Sequence, residues 1–244
     1  MREQFRRRVL PHWDVPGATY FVTACLYDSL PAQGALDLRN LERRLQGQVR
    51  PPAMSDNDWE HHKWKLMFAR RDEWMDLHPA IRHLEDERLA VVVQESLYHF
   101  AAEHYDLLAY VIMPSHFHWL FRPRDEWVIS LGDLANKRSP RQRIMQSILG
   151  YTGQTCNRLR NESGPFWQSE SYDHVVRDED EMERIVDYIE LNPVRRGWVT
   201  HREHWRFSSA FDRQGLPPEQ LSQPLTKELL RQRQSRITDS MGGQ

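Results

Sequence analysis

The sequence predicts a single α+β domain, a mainly antiparallel sheet with helices packed on it. Three observations carry that prediction. Two strand-length runs, the continuously apolar Leu107 to Met113 and the alternating His116 to Arg122, are separated only by Pro114-Ser115. Helical stripes of apolar residues lie on both sides of them. The elements follow in the order β–α–α–β–β–α–β–α. At 244 residues the chain can bury one sizeable core. The domain is expected over 1–212, followed by a polar tail over 213–244 that holds a short helix near 225–236.

Each element has a local reason. Pro16-Gly17 leads into Thr19 to Leu26, whose Tyr20, Phe21, Val22 and Thr23 favour a first strand. Leu38, Leu41 and Leu45 suggest a short helix closed by Gly47 and Pro51-Pro52. Ser55 to Asp58 offers caps for a helix whose Trp64, Met67, Phe68 and Trp74 recur at helical spacing. Asp86 caps a clearer helix with Leu89, Val92, Val93, Ser96, Leu97, Phe100 and Ala101 on one face. The two runs then read as neighbouring antiparallel strands in the middle of the sheet. Ile144, Ile148, Thr152, Thr155 and Leu159 give a helix from Ser139-Pro140 to about Arg160, weakened by Gly150 and Gly153. Tyr172 to Arg177 reads as a strand. Asp178 with Glu181 three residues on has the pattern of a capping box opening a last helix, which Pro193 ends.

Composition sets limits on function. Lys plus Arg number 33 against 35 Asp plus Glu, a formal charge of −2, so any nucleic-acid binding must use local basic clusters. No apolar run is long enough to cross a bilayer, and no apolar stretch follows the basic N-terminus. A cytoplasmic protein is expected, with no membrane partner. Cys25 and Cys156, far apart in sequence, read as two reduced thiols.

The chemistry gathers on two elements. Strand alternation makes His116 and His118 project together, ~6.5–7 Å apart, while Phe117, Trp119 and Phe121 point the other way into core. Two imidazoles so placed can grip one divalent ion, although a lone His-x-His is more often structural. On the last helix Met182, Ile185, Val186 and Ile189 form the buried stripe, and Tyr188 and Asn192 fall together on its shoulder. Taken singly, Tyr188 is a packing residue and Asn192 a helix stop. Beside a metal-competent strand they offer a nucleophile and an oxygen ligand. A phenol with a pKa near 10 is a poor nucleophile at neutral pH. A divalent ion on a nonbridging phosphate oxygen would stabilise the developing charge. Two His and an amide oxygen leave positions open and suit Mg2+ or Mn2+.

Several segments together resemble a known family. They are Tyr110-Val-Ile-Met-Pro-Ser-His-Phe-His-Trp-Leu, Phe166-Trp-Gln, Tyr172-Asp-His with Arg177, Asp187-Tyr-Ile-Glu-Leu-Asn-Pro-Val-Arg-Arg-Gly-Trp-Val, and Trp205-Arg-Phe-Ser-Ser. Over roughly residues 10–212 the chain resembles the REP-associated tyrosine transposases, single-tyrosine HUH nucleases related to insertion-sequence transposases. Ser115 stands where that family usually has Asn, and Phe117 and Trp119 where it has aliphatic residues. The resemblance implies an HUH nuclease (ferredoxin-like) fold and a metal-dependent endonuclease and strand transferase acting on single-stranded DNA, often at hairpins of repetitive extragenic palindromes. It implies His116 and His118 as metal ligands, Asn192 as the third ligand, Tyr188 as the nucleophile that forms a 5′-phosphotyrosine link, and a place near the nucleoid. His174, in the matched strand, is a further candidate for a site role, with a core or surface histidine as the ordinary reading.

Candidate DNA contacts are Lys137, Arg138, Arg141 and Arg143 at a helix start, and Arg195 and Arg196 just after the last helix. An ordinary solvated face is the alternative for each. Trp167 is either a base-stacking platform or core. Arg2, Arg6, Arg7 and Arg8 form either a basic arm or a frayed end. Two rival functions stand beside the nuclease: a non-catalytic hairpin-binding regulator of the same fold, and a metal-dependent hydrolase that activates water. The hydrolase needs carboxylates near the metal, and nothing in the sequence places Asp173 or Asp187 there. A monomer with its site in cis and a homodimer with sites in trans both fit the chain.

Overall fold

The computed structural model describes residues 4–7 and 11–241. An N-terminal antiparallel pair, β1 (Gln4–Arg7) and β2 (Pro11–Asp14), precedes the expected first strand, which becomes β3 (Tyr20–Cys25). The basic arm or frayed end expected there is a strand at Arg6 and Arg7, while Arg2 and Arg8 lie outside the described residues. Helices α1 (Ala32–Gln46) and α2 (Asp56–Leu77) follow, then α3 (Glu87–His99). The Ser55 hydroxyl accepts from the Asp58 amide and the Asp86 carboxylate from the Arg88 amide, so both expected caps are made.

The central hairpin is β4 (Tyr105–Ile112) and β5 (His116–Pro123). After it come α4 (Asp125–Ser130), α5 (Leu134–Lys137) and the long α6 (Pro140–Arg160), opened by a capping box between Ser139 and Gln142. Strand β6 (Tyr172–Val175) leads to α7 (Glu179–Glu190) and the short α8 (Asn192–Arg195). Short helices α9 (Ser209–Asp212) and α10 (Pro218–Leu221) and a longer α11 (Lys227–Met241) complete the chain. The segment set apart by its polar composition after 212 returns to the body: Leu225 and Leu230 are core residues, and the Leu225 amide donates to the Leu107 carbonyl at 2.7 Å.

The sheet is antiparallel throughout, in the order β4-β5-β3-β6. The hairpin is therefore not wholly internal. β5 is central, but β4 is the outer strand, and isolated bridges to Ser208 and Leu225 cover its free edge. Each face has its own layer. On one side Tyr20, Val22, Phe117, Trp119 and Phe121 pack against α3 and α6. On the other, Phe21, Val111 and Leu120 pack against Ile189 of α7, with Phe68 of α2 alongside.

Arg141 shows how this layering redirects a residue. It stands on α6, on the face opposite the histidines, 4% exposed, with Nε 2.8 Å from Asp14 and a terminal guanidinium nitrogen 2.7 Å from Asp173. A guanidinium sealed between two carboxylates cannot contact DNA, which corrects that expectation. Arg143 is also largely spent within the chain, donating to the Arg138 and Leu134 carbonyls. Lys137 and Arg138 remain exposed, but at the start of α6 and so on the layer away from the histidines. Trp167 is core: its indole donates to Thr152 at 2.9 Å and its ring meets Phe117 edge-on. Arg141→Met is expected to destabilise the fold by about 3–5 kcal/mol in urea unfolding, because two buried carboxylates lose the cation they share. An unchanged midpoint would show that this network carries no weight.

Candidate active site

His116 and His118 pair with Cys25 and Thr23 across β5 and β3, and both side chains have no solvent exposure. Two hydroxyls fix the rings. The Ser115 hydroxyl donates to the Met75 carbonyl at 2.8 Å, which leaves its oxygen to accept from His116 Nδ1 at 2.9 Å. His116 Nε2 is then the unprotonated nitrogen. Thr23 Oγ1 lies 2.7 Å from His118 Nδ1 and orients the second ring in the same way. The two Nε2 atoms face each other at 3.1 Å.

What meets them comes from α2. Asp72 Oδ1 lies 3.3 Å from His118 Nε2 and 3.7 Å from His116 Nε2, and Asp76 Oδ1 lies 3.5 Å from His116 Nε2. Neither carboxylate oxygen has a hydrogen-bond partner, although both are buried. Aspartates four apart share one helix face, and His61, Trp64 and Phe68 extend the same stripe toward the N-terminus of α2. Phe68 and Trp64 seat that stripe on Tyr172, with ring centroids 3.8 and 4.0 Å apart. The expected apolar face of α2 is thus interrupted by two acids at the sheet. Sequence reading missed them, although two aspartates in register with Phe68 were a signal of a polar group forced inward.

The expected pair on the last helix is also here, with one change. The Tyr188 hydroxyl donates to Asp72 Oδ2. α7 stops at Glu190, so Asn192 opens α8 rather than sharing the helix of Tyr188. The near-helical backbone at Leu191 keeps it close, and Asn192 Nδ2 donates to His118 Nε2 at 3.2 Å. Asn192 Oδ1 is buried without a partner, and a half-turn of the amide would bring it to the histidines. The capping box at α7 is displaced by one residue: Asp178 accepts from the Glu181 amide, but Glu181 reaches back to the Arg177 amide. Arg196 closes the cluster, donating to Asp76 Oδ2 at 2.6 Å, while exposed Arg195 lies over the Tyr188 ring at 5.5 Å. Asp173 and Asp187 pair elsewhere, with Arg141 and Arg202.

Burial and mutual charge set the protonation of the cluster. Burial lowers His116 to about 3, so its ring is neutral. Burial and the adjacent Asp72 raise Asp76 to about 7. Burial also opposes charge on Asp72, yet His118 and the Tyr188 hydroxyl outweigh it and hold that carboxyl below the usual carboxylate range. Burial and Asp72 keep the Tyr188 phenol protonated well above its ordinary range.

Two imidazole nitrogens converge here with two carboxylate oxygens that have no hydrogen-bond partner, a set of lone pairs that a cation would satisfy. Asp72, His116 and His118 could hold a metal ion, their ligand atoms lying within 4.8 Å of one another. The donor set fits a divalent metal.

Comparison with known proteins agrees with the resemblance read from the sequence motifs. No family model matches the chain. It is 30% identical over 105 residues, 43% of its length, to a REP-associated tyrosine transposase of Escherichia coli K12. It is 29% identical over 119 residues, 47% of its length, to a Haemophilus influenzae protein provisionally given the same name. The matches span 54% and 65% of those two relatives, so the chain aligns with about half to two thirds of their length. A solved structure of a REP-associated tyrosine transposase bound to a REP hairpin overlays with a TM-score of 0.49 at 17% identity, over 90% of this chain and 89% of that one. No helix among the described residues is long and apolar enough to cross a membrane.

The raised carboxyl of Asp76 has a measurable sign. In the folded, metal-free chain it keeps a proton that the unfolded chain gives up near pH 4, so its contribution to stability falls between about pH 4 and 7. Relative to Asp76→Asn, the wild type is expected to lose several degrees of Tm across that window, at about 2–4 °C per kcal/mol. Parallel profiles for the two proteins would contradict it.

Proposed function

We propose that this chain is a transposase-like, metal-dependent endonuclease and strand transferase for single-stranded DNA, acting at hairpins through a 5′-phosphotyrosine intermediate. One observation carries the reading: a tyrosine hydroxyl, two histidines and an asparagine from separate elements meet in one buried polar cluster. The similarity to the two transposases adds to it.

In this reading Tyr188 Oη attacks the scissile phosphorus. The new bond is tyrosyl O–P, the bond to the 3′ oxygen breaks, and that oxygen leaves as a free 3′-OH after taking a proton from solvent. The phenol proton is lost to solvent. His116 and His118, with Asn192 turned to present Oδ1, would hold Mg2+ or Mn2+, which supplies charge stabilisation to the phosphate. Ser115 and Thr23 keep both imidazoles aimed at it. Arg195, beside the Tyr188 ring, and Arg196, once free of Asp76, are the basic groups best placed for phosphate.

Access is the condition. With both histidines sealed and Tyr188 bonded to Asp72, α2 has to move before a phosphodiester reaches the phenol. The resting chain is therefore latched, and Asp72 and Asp76 are the latch.

The same two aspartates favour a second reading. They provide the carboxylates that a metal-dependent hydrolase activating water would need, and that the sequence had not placed near the histidines. The hairpin-binding regulator gains no such support, because a hydroxyl held at the histidine cluster serves no purpose in binding alone.

The deciding experiment incubates the chain with labelled single-stranded hairpins and Mg2+ or Mn2+, followed by denaturing electrophoresis. A denaturant-resistant adduct is expected, absent with chelator and in Tyr188→Phe. Cleavage that persists in Tyr188→Phe without adduct would replace the proposal with the hydrolase. Binding with neither product would replace it with the regulator.

A further inference from the structure

A second group of ligand-type side chains lies toward the N-terminal end of α2. His61 of α2, His174 of β6 and Glu181 of α7 bring two imidazole nitrogens and a carboxylate oxygen within 4.8 Å of one another. His61 stands eleven residues before Asp72 on the same helix, a rise of about 16 Å, so this group is separate from the histidine pair of β5.

Its geometry lacks the usual satisfaction of buried polar atoms. His174 is 9% exposed, and its Nε2 has no hydrogen bond, although Glu181 Oε2 is only 3.2 Å away. His61 Nε2 is likewise buried and unbonded. Buried imidazole nitrogens nearly always find a partner, and here two lack one beside a single carboxylate. The neighbouring charges are Lys65, with Nζ 3.3 Å from Glu181 Oε1, and Arg177, whose backbone amide donates to Oε2 at 3.0 Å. The Lys65 side chain is half-exposed.

We propose that His61, His174 and Glu181 form a second metal site, for a divalent transition ion of the Zn2+ class, that ties α2 to the sheet and to α7. Two imidazoles with one carboxylate are a donor set that Zn2+ accepts, the remaining position going to water. The ion would cross-link His61 of α2 to the β6–α7 segment, more than a hundred residues further along the chain. It would also sit on the helix that seals the other cluster. The site does not depend on the nuclease reading, since it involves none of the residues assigned to that chemistry.

The test uses the full chain stripped of metal and titrated with Zn2+ alone, read by calorimetry, with Co2+ absorbance as a second probe of coordination. Wild type is expected to take up two equivalents, His61→Gln and His174→Gln one each. His116→Gln combined with His118→Gln is expected to retain one equivalent and a Zn2+-dependent rise in Tm, and adding His61→Gln to that pair is expected to abolish both. Circular dichroism checks that each variant is folded. Equal stoichiometry in wild type and folded His61→Gln would overturn the proposal. So would the loss of all binding in the His116/His118 double variant.

Discussion

The alternation of side chains along β5 is the constraint on which the rest depends. Once Phe117, Trp119 and Phe121 are committed to the layer under α3 and α6, His116 and His118 must face the other way. That second face then carries nitrogen lone pairs where a sheet ordinarily presents hydrocarbon. It can be covered only by an element that supplies polar partners, and α2 and the α7–α8 junction do so with Asp72, Asp76 and Asn192. Shifting the strand by one residue would put two imidazoles into the aromatic core and two large rings on α2. The register across Thr23 and Cys25 therefore places the site as well as the strand.

Covering the histidines in this way concentrates charge where water is scarce. Two carboxylates, a guanidinium and a phenol share one small volume, and each alters its neighbours: Asp76 goes up, Asp72 down, and Tyr188 up. Buried charges of this kind contribute little net stability even when paired, because desolvation offsets most of the attraction. They do make the arrangement specific. α2 could rest on the sheet through Trp64 and Phe68 alone, but only one rotation and one axial position also bring Asp72 to Tyr188 and Asp76 to Arg196.

Much of this was legible in the chain, and the parts that were not have physical reasons. β3, the β4–β5 hairpin and α7 could be read from period and punctuation, because those signals are local. The histidine pair and Tyr188 could be chosen because each sits beside a strong apolar pattern that fixes its direction. Asp72 and Asp76 could not be placed, since their role depends on contacts with residues far along the chain, Tyr188 and Arg196 being 116 and 120 positions away. Arg141 could not be told from Arg138 for the same reason. Both are basic residues at one helix start, and only the approach of Asp14 and Asp173 separates an internal cation from an exposed one. The strand pair at the N-terminus was missed because its basic residues hid a β pattern too short to register.

The pairing of Arg196 with Asp76 carries a last consequence. A guanidinium grips a carboxylate and a phosphate with the same fork, so the acidic face of α2 imitates, in protein, an anionic guest. Any such guest then enters as a competitor for a place already held. In the proposed reading, its affinity for the chain would be reduced by whatever the Arg196–Asp76 pair contributes to holding α2 in place.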